Sequence, residues 1–231
     1  MKKSFLLIAF LASSVLSRSQ NEFSIAKSFR QGNANNCASV ALIKAAMVKY
    51  GYNKIFSYKK SGNYDVDLKD GTKLIISQDE LNLASASSHF DTTGIYRKLG
   101  SKRDSVLFYA YLSYACIAKY ISEYGYWGCA DDEGGSVHIE KIQEFKNALS
   151  FITNTSFCTD NCYRLLGLKI KENKIVDYTG ESPLNEKGTI LYSKAHAVVV
   201  YNNQLDCHGQ WMPVSTKKVC RNVFKWYIVL E

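Results

Sequence analysis

Gln31-Gly32-Asn33-Ala34-Asn35-Asn36-Cys37 runs without a break into Ala38-Ser39-Val40-Ala41-Leu42-Ile43-Lys44-Ala45-Ala46-Met47. The first half reads as loop, because Gly and Asn leave the backbone free to turn. The second half is an apolar run of helix formers, and an Asn just ahead of it suits a helix N-cap. Cys37 therefore falls in the first helical turn, where the helix dipole favours a thiolate over a thiol. That makes it a candidate nucleophile. Gln31, six residues upstream, can reach back across the loop. Its side-chain NH2 would then join the Cys37 backbone N–H as a donor to a developing oxyanion. The plainer reading of the same stretch is a buried or disulfide-bonded cysteine opening a core helix.

A second stretch far downstream shifts the balance. Lys194-Ala195-His196-Ala197-Val198-Val199-Val200-Tyr201-Asn202 puts a histidine at the mouth of a β-branched run that reads as a buried strand. Together the two segments resemble the papain-like cysteine peptidases, including their calpain-like relatives. In that family a Gln-Gly, four further residues and the nucleophilic Cys open the central helix, and a His-Ala-Val strand supplies the base. Gln31-Gly32 with Cys37, and His196-Ala197-Val198, keep both the spacing and the order. The resemblance implies an α+β, two-lobed papain-like fold, with an N-terminal helical lobe around the Cys-bearing helix and a C-terminal antiparallel β-sheet lobe. It also implies Cys37 as nucleophile, His196 as general base and acid, Gln31 as oxyanion donor, a polypeptide substrate, and no metal or organic cofactor.

The chain departs from the family in two places. Ala38 stands where an aromatic usually follows the nucleophile, and the Asn-Ser-Trp-Gly segment that carries the third catalytic residue is absent. A strand from His196 that turns at Tyr201-Asn202-Asn203-Gln204 and pairs antiparallel with Leu205 to Trp211 would set positions 208 to 210 opposite His196. His208 and Gln210 are then candidates by geometry. Asp206 is the better chemical partner for an imidazole, but it needs a shifted turn or a bulge. The three stay open, and Trp211 is either a shield for the site or plain core.

Met1-Lys2-Lys3, the apolar stretch Phe5 to Leu16 and then Ser17-Arg18-Ser19-Gln20 have the basic, hydrophobic and small-residue regions of a signal peptide. Residues 1–20 are therefore expected to be removed, leaving one exported domain over 21–231, extracellular or periplasmic. Its helical lobe would cover about 30–152 and its sheet lobe about 160–231. No stretch is long enough for a stable membrane anchor. The net charge of +8 includes Lys2, Lys3 and Arg18 and falls to about +5 without them, spread along the chain, so neither nucleic-acid binding nor stable membrane insertion is expected. A monomer is expected.

Seven cysteines, at 37, 116, 129, 158, 162, 207 and 220, leave one over after pairing. With Cys37 as the odd thiol, spacing suggests the pairs Cys116–Cys129, Cys158–Cys162 and Cys207–Cys220 among fifteen possible connectivities. The His and Cys spacings of zinc sites are missing.

Further elements follow from local pattern. Asp65 to Ile76 reads as a hairpin turning at Asp70-Gly71, and Ser77-Gln78-Asp79-Glu80 as a capped helix start. Helices are expected from Asp104 to about Tyr120 and from about Val137 to Phe151. Strands are expected over Arg164–Lys171, Lys174–Tyr178, Thr189–Ser193, Ala195–Tyr201 and Val223–Leu230. Gly128 to Gly135, with Asp131, Asp132 and Glu133, loosely resembles the family's Cys-x-Gly-Gly substrate stretch, which would favour basic side chains. His89 and His138 read as surface or capping residues. The expected chemistry is that of a cysteine hydrolase, most simply a peptidase. The rivals are a transglutaminase-like acyltransferase, an amide or peptidoglycan hydrolase, and an inactive papain-like binding protein.

Overall fold

Twelve consecutive residues, Cys37 to Val48, are buried on a single helix, and a helix buried all round must be covered all round. The computed structural model describes residues 28–92, 101–129, 136–155, 157–176, 186–207, 209–214 and 223–231. Residues 1–20, read above as a signal peptide, and the acidic residues Asp131, Asp132 and Glu133 lie outside them. In chain order the first half supplies β1 (Arg30–Gln31), α1 (Cys37–Tyr50), β2 (Ser57–Ser61), β3 (Asn63–Asp67), β4 (Lys73–Ile76), α2 (Gln78–Ser87), β5 (Phe90–Asp91) and α3 (Ser101–Tyr124). Then come β6 (Tyr126–Cys129), β7 (Ser136–Ile139), α4 (Phe145–Asn154) and a 3-10 helix (Thr159–Leu166). The last part is all strand: β8 (Ile170–Ile175), β9 (Thr189–Tyr192), β10 (Ala197–Tyr201), β11 (Gln204–Cys207), β12 (Gln210–Pro213) and β13 (Trp226–Leu230). The fold is mixed α+β.

Six of these strands form one antiparallel sheet in the order β12-β11-β10-β9-β13-β8. Helix α1 packs on β9, β10 and β13, and against α3 and the 3-10 helix on its other sides. The β-branched run of β10 follows from burial of both sheet faces. Ala197 and Val199 join the core around α1, whereas Val198 and Val200 pack with Leu191, Leu205, Phe224 and Val229 in a second core. Asn202 and Asn203, at φ 49° and 57°, form the two-residue turn from β10 to β11, and Tyr201 pairs with Gln204 as the sequence indicates. The second arm is shorter than expected. It ends at Cys207, and Trp211 belongs to β12, where it pairs with Asp206 and packs near Val48 and Tyr201.

The β3–β4 hairpin turns at Asp70-Gly71, and Ser77 and Glu80 form a reciprocal capping box at the start of α2. Elsewhere the local pattern misleads. Ser136–Ile139 is a strand paired with Tyr126–Cys129, so the helix expected from Val137 begins only at Phe145. His138 stays exposed, with its Nε2 3.1 Å from the Tyr124 carbonyl. Arg164 lies in the 3-10 helix rather than a strand, and Ile170–Ile175 is a single strand where two were expected. Asn36 precedes α1 but does not cap it through its side chain. Its Nδ2 donates instead to the Ser88 carbonyl at 2.7 Å.

The cysteine pairing is also corrected. Cys116 and Cys162 are buried free thiols of the main core, so the Cys116–Cys129 and Cys158–Cys162 bridges do not form. Burial pushes both thiols far up from their ordinary range, which makes them inert. Cys158 is disulfide-bonded, and its partner sulfur is not among the described side chains. The Cys207–Cys220 pair also falls outside them. Among the described residues no helix is long and apolar enough to cross a membrane.

The capping box gives a direct check on the fold. Ser77→Ala should lower stability by about 1 kcal/mol in urea denaturation, because the Glu80 N–H loses its acceptor.

Candidate active site

Residues four and seven positions apart share one face of a helix, and Cys37, Val40, Ala41 and Lys44 form such a stripe on α1. All four line one pocket. The opposite wall comes from the sheet: His196, Ala197, Val198 and Val199 at the entry of β10, Asp206 on β11, and Gly209 in the turn beyond it. Gln31, at the end of the short strand ahead of α1, completes the lining of a small cavity of about 20 Å³ that is partly open to solvent. Three residues singled out in the sequence, Gln31, Cys37 and His196, therefore border the same cavity.

Each is held by its own local structure. Gln31 sits on β1, which pairs antiparallel with β5 in the register Arg30↔Asp91 and Gln31↔Phe90. The guanidinium of Arg30 clamps this ladder through Asp91, with Nε donating at 2.6 Å. Gly32 follows because the chain passes directly over the His89 carbonyl: a Cβ there would lie 2.1 Å from that oxygen. Gln31 Nε2 donates to the Ala34 carbonyl at 2.6 Å, which folds the amide back over its own loop. An amide carries two N–H groups, so this bond does not exhaust it.

Cys37 is the first residue of α1, is not in a disulfide and is 6% exposed. His196 sits in the tight turn from β9 to β10. Its carbonyl accepts from the Ser193 N–H at 2.8 Å, and its own N–H donates to Ser193 Oγ at 3.2 Å. The imidazole lies tilted against Phe224, ring centres 6.1 Å apart, with Nε2 shielded from solvent.

The candidates for a third residue separate. Both oxygens of Asp206 are engaged elsewhere: Oδ2 accepts from Lys44 Nζ, and Oδ1 accepts from the Gly209 N–H at 2.7 Å. His208 and the side chain of Gln210 lie outside the described residues. Lys44 was not foreseen. It is 1% exposed in the middle of the apolar run, paired with an equally buried carboxylate and 5.1 Å from the ring centre of Phe29. Burial lowers its pKa from the ordinary lysine range, the Asp206 charge opposes this, and the Arg30 charge adds to it. A lone lysine inside Ala-Leu-Ile-Lys-Ala-Ala was the only signal in the sequence, since lysine is almost never fully buried unpaired.

Among the described residues no group of three or more His, Cys, Asp or Glu side chains is arranged to hold a metal ion. The chain matches no family model, no curated protein and no solved structure.

The buried pair has a clear energetic signature. Asp206→Ala should destabilise the protein by about 3–5 kcal/mol in urea denaturation, because it strands the Lys44 ammonium in an apolar surrounding. Lys44→Met with Asp206→Leu should recover most of that loss, because the apolar pair needs no desolvated charge.

Proposed function

We propose that the protein is a cysteine hydrolase of the papain-like kind, acting on amide bonds in polypeptides. The observation that supports this reading is that Cys37 at the start of α1, His196 in the turn ahead of β10 and Gln31 at the end of β1 line one pocket. The mixed first half, with its helices and small sheets, and the six-stranded antiparallel sheet of the second half are read as the two lobes of that architecture. Export through the segment at 1–20 and a monomeric state belong to the same reading.

The chemistry uses only side chains of this chain. His196 takes the proton of Cys37, and Sγ attacks the carbonyl carbon of the substrate. The negative charge that develops on the carbonyl oxygen is met by the Cys37 backbone N–H at the start of α1 and by a Gln31 Nε2 proton. Collapse of the tetrahedral species breaks the C–N bond, and the imidazolium protonates the departing amine. Water deprotonated by His196 then cleaves the thioester and returns the thiol.

The test is intact-mass analysis of the non-reduced protein before and after an epoxysuccinyl inhibitor. A single adduct mapping to Cys37, absent in Cys37→Ala, is expected. His196→Ala should slow its formation by roughly 10²- to 10⁴-fold, the range of a positioned general base. An inert Cys37 would leave a binding protein on this scaffold as the better account.

A further inference from the structure

A buried lysine needs a reason. Taking an ammonium out of water is unfavourable by several kcal/mol, and its attraction to a buried carboxylate repays this only when the geometry is good. A methionine at position 44 would fill the same space without that cost, so fold stability alone is a weak explanation for the pair. Its location supplies a better one. Lys44 is seven residues from Cys37, on the same stripe of α1, and its ammonium meets the Asp206 carboxylate across from that stripe. Lys44, Asp206, Cys37 and His196 all border the same cavity.

The connection continues through Asp206. Its second oxygen holds the Gly209 N–H, at a residue with φ +80° in the turn from β11 to β12. The β10–β11 register pairs Val200 with Leu205 and Tyr201 with Gln204, and beyond the end of β11 the turn carrying Gly209 borders the same cavity as His196. Gly209 is also a wall of the pocket, roofed by the aliphatic stem of Arg30, whose Cδ a Cβ at this position would meet at 2.2 Å. One chain of contacts therefore runs from the Cys37 helix, through Lys44 and Asp206, to the Gly209 backbone, which lines the same cavity as His196.

We propose that Lys44 is a positioning residue of the active site: by holding the Asp206 carboxylate it fixes the Gly209 turn and with it the distance between the Cys37 helix and the His196 strand. The inference rests on the hydrolase reading above and adds to it a residue that acts through others. Among the described residues, the ionisable groups around this site are Cys37 and Lys44 on α1, His196 ahead of β10, Asp206 on β11, and Arg30 with Asp91 from the β1–β5 pair.

The experiment is the rate of Cys37 carboxamidomethylation by iodoacetamide, followed by peptide mass between about pH 4 and 10 in the full-length protein. It compares wild type, His196→Ala, the double variant Lys44→Met with Asp206→Leu, and Asp206→Asn. The last keeps an oxygen for the Gly209 N–H and nearly the same shape, and it stands in if the double variant does not fold. Folded double variant and Asp206→Asn are both expected to react roughly 10- to 100-fold more slowly than wild type, the scale of a misplacement of about 1 Å. Their pH profiles should approach that of His196→Ala, and adding His196→Ala to either should change little further. Wild-type rate and pH profile in the folded variants would overturn the inference alone and reduce the pair to a structural contact. Wild type reacting no faster than His196→Ala would overturn the hydrolase reading and the inference with it.

Discussion

A helix covered on every side has no solvent into which a polar side chain can escape, and α1 imposes that constraint on the whole molecule. The sheet, α3 and the 3-10 helix all pack on it. Two of its polar side chains find partners inside, whereas Ser39 Oγ is buried without one among the described residues. Asn36 gives up its capping role and reaches the Ser88 carbonyl, tying the start of α1 to the end of α2. Lys44 reaches across to the sheet and pairs with Asp206. The nucleophile candidate is the first residue of this helix and borders the cavity, with the helix dipole directed at it. Burial of α1 thus does two things: it anchors the fold and it fixes the site at its N-terminus.

The second consequence concerns the strand that faces the helix. β10 is apolar on both sides because it divides two cores, and that is why its sequence is an unbroken run rather than an alternation. A histidine is unwelcome inside such a strand but well suited to its mouth. His196 lies one residue before β10, held by the Ser193 turn and by Phe224. The same two-sided burial leaves the pocket wall lined by Ala197, Val198 and Val199, a short apolar surface beside the two reactive candidates. Neutral side chains there leave the electrostatics of the site to Lys44, Asp206 and Arg30.

What the sequence disclosed follows from how local each signal is. The start of α1 at Cys37, the capping box at Ser77, the turns at Asp70-Gly71 and Asn202-Asn203, and the strand after His196 all depend on residues a few positions apart, and all are present. Ser136–Ile139 reads as helix in isolation and becomes strand because Tyr126–Cys129 offers it a ladder. Arg164 stands in a stretch with strand-forming neighbours, yet a 3-10 helix ending at left-handed Gly167 takes it. Cysteine spacing suggested bridges that burial forbids, since Cys116 and Cys162 sit as thiols inside the core. Asp206 was visible as a carboxylate near the histidine. Its actual partner, 162 residues away on α1, was not, because nothing local in either segment records that pairing.

The central claim is that Cys37 and His196 face each other closely enough to act as one chemical unit. The most direct measurement is bifunctional alkylation with 1,3-dibromoacetone at neutral pH, followed by digestion and peptide mass analysis. The thiol attacks one CH2 carbon and displaces its bromide, and the second bromomethyl carbon is left for a nucleophile within reach of a three-carbon bridge. The account predicts a dominant cross-linked peptide joining Cys37 to His196, lost in either Cys37→Ala or His196→Ala. Cys37 modified at one end only, or bridged to another residue, would contradict it.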